Sequence, residues 1–131
     1  VGTSLIKGYQ LLFKGSKTGS YLTIEKSKDK AVPVAVWKVT ESDERSLDRY
    51  EGFPDFYYKQ TMELDVKGIR TGKTYRKKAF VYIMHEEREL GVPFNQYVRV
   101  CLEGYQSFGF SAKYLEDALK ISLEVANGNG N

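Results

Sequence analysis

The stretch VPVAVWKVTESDERSLDRYEGFPDFYYKQTMEL, residues 32–64, passes from an apolar run through a charged segment to an alternating one. Its first part, 32–39, is almost wholly apolar, as expected of a strand buried on both faces. Pro33 falls near the start of that run, where a missing N–H is tolerated. In the charged part, Thr40 or Ser42 offers a helix cap, and acidic residues crowd the first turn, where the helix dipole favours them. Gly52 and Pro54 stop that helix. Beyond them, 56–66 reads as a strand, with Met62, Leu64 and Val66 alternating.

Working outward, LIKGYQLLF (5–13) and SYLTIEK (20–26) read as two further strands, separated by the Gly- and Ser-containing KGSKTG. RKKAFVYIM (76–84) is another, joined to the strand before it by KGIRTGKTY. The last third is helical. NQYVRVCLEGY (95–105) sets Tyr97, Cys101 and Tyr105 four apart on one face, with Val98 and Leu102 beside them. Ser111 can cap AKYLEDALKISLEV, whose Leu115, Ala118 and Leu119 form an apolar stripe. The chain closes on ANGNGN, so a disordered tail is expected over 127–131. Without repeats or a linker, residues 1–126 predict a single α+β domain.

Composition narrows the function classes. The 131 residues carry 41% apolar and 28% charged side chains, ordinary values for a globular protein. Ten Tyr and seven Phe are a surplus that suits either a lined pocket or a Tyr-rich sheet. A net charge of +3, from scattered basic residues, argues against a nucleic-acid partner. Cys101 is the single cysteine, so neither an intrachain disulfide nor a cysteine-built metal site is available. A reducing compartment, the cytoplasm, is the expected setting. No apolar run reaches membrane length and no signal-peptide pattern opens the chain, so no membrane partner is expected.

Some motifs mislead. GIRTGKT (68–74) resembles a phosphate loop, but its spacing is one residue short and it lies between two strands, so a hairpin turn is expected. HEERE (85–89) lacks the second histidine of a zinc site. His85, the only histidine, is expected at a strand end. Cys101, on an apolar helix face, reads as a small buried hydrophobe with no basic group placed to activate it.

Glu51 is the residue with chemical interest. Leu47 and Glu51 lie four apart and share a helix face, so a core-facing Leu47 carries Glu51 inward or to the rim of a cavity. At the C-terminal end the helix dipole opposes a carboxylate by about 0.3–1 kcal/mol, and burial would push its pKa further up. A carboxyl group raised toward neutrality can accept and return a proton. Tyr50, Tyr57 and Tyr58 are near enough in sequence to hold it. Read from the residues alone, a solvated helix-end glutamate and a proton carrier both fit.

Residues 32–64 resemble the gamma-glutamylcyclotransferase family, which includes proteins acting on gamma-glutamylamines. That family pairs an apolar strand with a short helix ending Leu-Asp-x-x-Glu-Gly and a Tyr seven residues after the Glu, matched here by Leu47, Asp48, Glu51, Gly52 and Tyr58. VPFNQYVRVCLEGYQSFGFSAKYLEDAL is also similar, with Tyr97, Gly104, Gly109 and Tyr114 in the family's places, and LIKGYQLLFKG matches its second strand. The resemblance spans most of the chain. It implies a small mixed β-barrel with a short helix after the third visible strand, two C-terminal helices, and a cavity at one barrel end. It also implies that Glu51 is the general acid and base that closes a gamma-glutamyl amine or peptide into 5-oxoproline and releases the amine. Tyr58, Tyr97 and Gly52 are implied as substrate-binding residues, and no metal or organic cofactor is needed. A small gamma-glutamyl compound is the implied partner.

The family opens with a strand ending in a Tyr-Gly-Ser or Tyr-Gly-Thr loop, whose N–H groups hold the glutamyl end of the substrate. Gly2-Thr3-Ser4 is not preceded by a Tyr or a strand, so the chain is expected to begin after that loop. The gap would lie beside 32–39 and expose backbone edges. Three outcomes stay open: an active enzyme, an incompetent binding or structural module that keeps the fold, or a site completed by a complementary N-terminal strand or a strand-sharing homo-oligomer.

Overall fold

The computed structural model describes residues 1–16 and 19–128. In chain order these form β1 (Gly2–Ser16), β2 (Gly19–Val36), α1 (Glu41–Glu51), β3 (Tyr57–Gly68), β4 (Thr74–Met84), β5 (Glu89–Leu90), α2 (Asn95–Phe108) and α3 (Lys113–Gly128). The protein is α+β: an antiparallel sheet in the order β2-β1-β3-β4, with short β5 on β1, and three helices against it.

Two long hairpins make the sheet. β1 and β2 pair from Gly2↔Val36 to Ser16↔Gly19, and β3 and β4 from Tyr57↔Met84 to Lys67↔Thr74. They join only at a narrow corner, Gly2↔Gly68 and Thr3↔Lys67. A Cβ on Gly2 would stand 2.5 Å from the Lys67 carbonyl oxygen, so the corner needs glycine there. From the corner the hairpins fold over a shared core: Ile6, Ile24 and Val32 from the first, Leu64, Val66 and Ile83 from the second. A second cluster lies on Phe13, against Leu115 and Ala118 of α3 and Tyr97, Cys101, Leu102 and Tyr105 of α2. The helical stripes expected from spacing are therefore the faces that pack.

Three expectations need correction. The runs 20–26 and 32–39 belong to one strand up to Val36, not two. The ladder shifts between Lys7 and Tyr9, around Gly8 at φ 81°, so pairing skips from Ala31 to Lys26 and resumes. The polar SKDK segment that reads as a break is a bulge on a continuing strand. The apolar run 32–39 is not buried on both faces. Val32 and Pro33 are buried, Val34 to Val36 are half-buried, and Trp37 is exposed. That half-burial follows from topology, because β2 is the edge of the sheet.

The third correction concerns the barrel. Among the described residues every ladder is antiparallel rather than mixed, and β2 and β4 are not joined by one. Side chains close one end instead: the Met84 N–H donates to Thr23 Oγ1 at 2.9 Å, and the Tyr57 hydroxyl to the Leu22 carbonyl at 3.3 Å. At the other end the strands diverge. A groove of about 510 Å³ opens between Val34–Val36 and Lys78–Tyr82, floored by Ile6 and Leu64. In the expected tail, α3 continues through Gly128, and 129–131 lie outside the described residues.

Candidate active site

Helix α1 is set at both ends by local chemistry. Thr40 is the cap: its Oγ1 accepts from the Asp43 N–H, and Asp43 Oδ2 accepts from the Thr40 N–H, each at 3.0 Å. At the other end Gly52 takes φ 69°, while the Phe53 N–H reaches the Asp48 carbonyl at 2.8 Å and the Gly52 N–H the Arg49 carbonyl at 3.3 Å. Gly52, implied as substrate-binding, thus has its N–H engaged in ending the helix.

The helix presents an unusual face. Glu44, Leu47, Asp48 and Glu51 are its half-buried residues, the remainder being exposed. Three of those four are carboxylates. Strands β3 and β4 answer with Lys59 and Tyr82. Lys59 Nζ lies 2.6 Å from Glu44 Oε2 and 3.0 Å from Asp48 Oδ1. The Tyr82 hydroxyl donates to Asp48 Oδ1 at 2.5 Å. The Lys59 ammonium also stands 4.6 Å above the Phe53 ring and 5.5 Å from that of Phe80.

The two carboxylates nearest the helix end are driven apart. The hydrogen bond from Tyr82, with Lys59 helping against burial, holds Asp48 below the ordinary carboxylate range. Burial pushes Glu51 above its ordinary value. Divergent environments of this kind pull the titrations of two neighbouring carboxylates apart. The Glu51 charge in turn adds to the burial that raises Tyr57 and Tyr82, and both phenols stay protonated as donors. Tyr82 also lines the 510 Å³ groove and a second, of about 340 Å³, between β2 and α2.

Of the residues singled out in the sequence, Glu51 and Tyr97 belong to one neighbourhood, joined by Tyr57. Tyr97 accepts from the Leu22 N–H at 3.0 Å while Tyr57 donates to the Leu22 carbonyl. The two phenols cap the free edge of β2 at this residue. Tyr97 packs edge-on to Tyr21 and Phe13, with centroids at 5.1 and 6.3 Å. Tyr58 is directed elsewhere: its hydroxyl meets the Glu86 carboxylate at 2.7 and 3.0 Å, and its ring packs on the hairpin core. Successive strand side chains face opposite ways, so Tyr57 and Tyr58 cannot share a side. Tyr50 is 85% exposed and holds nothing against Glu51.

Sequence reasoning missed Tyr82, Lys59 and the anchoring part of Asp48. The available signal was the spacing of Glu44, Asp48 and Glu51, which puts three acids on the face that Leu47 turns inward. The loop-like and histidine motifs resolve as expected, while Cys101 is half-buried rather than buried. GIRTGKT forms the β3–β4 turn, closed by the Gly68 N–H on the Lys73 carbonyl at 2.9 Å. His85 follows the end of β4, with Nε2 2.6 Å from the Pro54 carbonyl. Burial raises the Cys101 thiol, which keeps it a poor nucleophile. No helix among the described residues is long and apolar enough to cross a membrane.

Comparison with known proteins bears on this arrangement. A family model described as gamma-glutamyl cyclotransferase, AIG2-like, matches residues 1–99. A solved structure of a gamma-glutamyl cyclotransferase superposes with a TM-score of 0.70 at 25% identity, over 90% of this chain and 71% of that one. An uncharacterized protein from Homo sapiens gives 0.69 at 26% identity with the same coverage. YkqA from Bacillus subtilis shares the fold, with a TM-score of 0.72 at 15% identity over 92% of this chain and 43% of that one. No curated protein matches the chain.

Proposed function

Because the chain belongs to the AIG2-like gamma-glutamyl cyclotransferase family, we propose that it converts a gamma-glutamyl amine or peptide into 5-oxoproline and the free amine, with Glu51 as general acid and base. The observation that carries the proposal is the half-buried Glu51 carboxyl, raised by burial, whose charge acts on the Tyr57 and Tyr82 phenols. The substrate's α-amino nitrogen attacks its own side-chain amide carbon, forming the ring C–N bond. Glu51 takes the proton that nitrogen sheds. As the tetrahedral intermediate collapses, the bond to the leaving nitrogen breaks and Glu51 returns the proton there.

One carboxyl group suffices because nucleophile and electrophile share a molecule and need only be held in a near-attack shape. The developing oxyanion needs N–H or O–H donors. The glycine loop implied by the resemblance is one source; of the two phenols beside Leu22, Tyr97 accepts there and keeps its own proton to give, whereas the Tyr57 proton is committed to the Leu22 carbonyl. Release of 5-oxoproline from a panel of gamma-glutamyl compounds tests the reading, with Glu51→Gln as control. Loss of turnover by a factor of about 10² or more in the variant is expected. Equal turnover would overturn the proposal.

The groove between β2 and β4 favours a second reading, in which the chain keeps the fold and takes a strand from elsewhere. Successive antiparallel pairings leave β2 and β4 running in opposite directions. A strand laid between them would therefore be antiparallel to one and parallel to the other, which would produce the mixed barrel that the resemblance implies. An added N-terminal strand or a second copy would supply it, and light scattering separates the two. A stable monomer with ordinary edge protection in hydrogen exchange would count against strand sharing.

A further inference from the structure

Lys59, a half-buried ammonium on the α1 face of β3, and the phenol beside it on β4 meet the same carboxylate, three residues before Glu51. We propose that Asp48 is a positioning residue: gripped by the Tyr82 hydroxyl and the Lys59 ammonium, it fixes the last turn of α1 on β3 and β4 and so sets where the Glu51 carboxyl sits. The inference rests on the reading of Glu51 as the acid and base, and assigns how that group is held.

The geometry gives Asp48 both roles at once. Its side chain binds two strands, through Oδ1 to Tyr82 at 2.5 Å and through Oδ2 to Lys59 at 3.2 Å. Its main-chain carbonyl accepts the Phe53 N–H at 2.8 Å, the bond that ends the helix directly after Glu51. The Lys59 ammonium stacks on the Phe53 ring, tying the chain beyond the helix to the same point. Elsewhere the helix has little apolar purchase, since Leu47 is the one aliphatic residue on its inward face. Removing the Asp48 carboxylate therefore frees the turn that carries Glu51. A displacement of about 1 Å in a reacting group can cost 10²-fold in rate.

The titratable groups on which the Glu51 charge acts are Tyr57 on β3 and Tyr82 on β4; Glu44 and Asp48 of its own helix also act on Tyr82, Tyr21 of β2 on Tyr57, and Tyr57 in turn on Tyr97 of α2, while Lys59 of β3 is held by Glu44 and Asp48. The test measures the Glu51 carboxyl midpoint by carbon-detected NMR in Asp48→Ala, Asp48→Asn and Tyr82→Phe. Both Asp48 variants lose the same charge, but asparagine keeps an oxygen for Tyr82, so their difference reports position rather than field. Tyr82→Phe removes a tether and no charge.

We expect Asp48→Ala to move the midpoint toward the ordinary 4.5 further than Asp48→Asn does, with Tyr82→Phe moving the same way. Where turnover is measured, kcat should fall about 10²-fold in Asp48→Ala with KM changed less, and Asp48→Asn should recover much of it. Identical midpoints in the two Asp48 variants, with Tyr82→Phe like the unmodified chain and α1 still helical, would overturn the inference. Tyr82→Phe decides the matter if Asp48→Ala does not fold. Absence of turnover in the unmodified chain would end the cyclisation reading alone, because the titration needs no substrate.

Discussion

At the scale of single residues, two carboxylates, Asp48 and Glu51, share a helix turn and differ in surroundings. Folding raises the Glu51 pKa above 4.5, so the folded state binds more protons than the unfolded state between those two values. Glu51 therefore detracts from stability as pH rises through that window, and fully above it. Glu51→Gln should be more stable than the unmodified chain at pH 7, with the advantage vanishing below 4.5; denaturant midpoints across pH check this. Asp48 has the opposite sign. Its folded pKa lies below 3.8, so its contribution is in place above that value and is lost as pH falls through the folded value. Asp48→Asn should destabilise at pH 7 and lose that effect in strong acid. The inward setting of Glu51 at the end of α1 was legible in the sequence because helix spacing and the residues ending the helix are local. Tyr57 and Tyr58 could not be separated, since their assignment depends on which strand face meets α1.

Among the elements, α1 was the most legible, because its signals lie within its own residues. A cap at Thr40 or Ser42, the acids of the first turn and Gly52 at the end are each visible in the sequence, and the structure makes Thr40 the cap. Thr40→Ala should remove one half of the reciprocal pair and cost about 1 kcal/mol, lowering the thermal midpoint without altering the fold. A denaturation series would show this, and an unchanged midpoint would mean that the helix is held by Lys59 and Tyr82 instead. Strand β2 was misread because its continuity is not local. The 27–30 segment is polar and carries a positive φ at Asp29, the pattern of a turn, yet β1 carries the pairing past it. The open sheet escaped the sequence for a related reason: closure is decided by which edges meet, and that is a property of all the strands together.

For the whole molecule, Phe13 links the hairpin to both C-terminal helices and is fully buried. Phe13→Ala should cost about 3–5 kcal/mol, checked by denaturant unfolding of the two chains. The function proposed for this assembly makes its own demand on pH. If Glu51 must be ionised to take the proton, the rate of 5-oxoproline release should rise with pH through the Glu51 midpoint. The most direct measurement is that pH–rate profile, taken on the unmodified chain and on Glu51→Gln. The account predicts an acidic limb with its midpoint above 4.5, and residual turnover without that limb in the variant. A limb centred at or below 4.5, or the same limb surviving in Glu51→Gln, would contradict it.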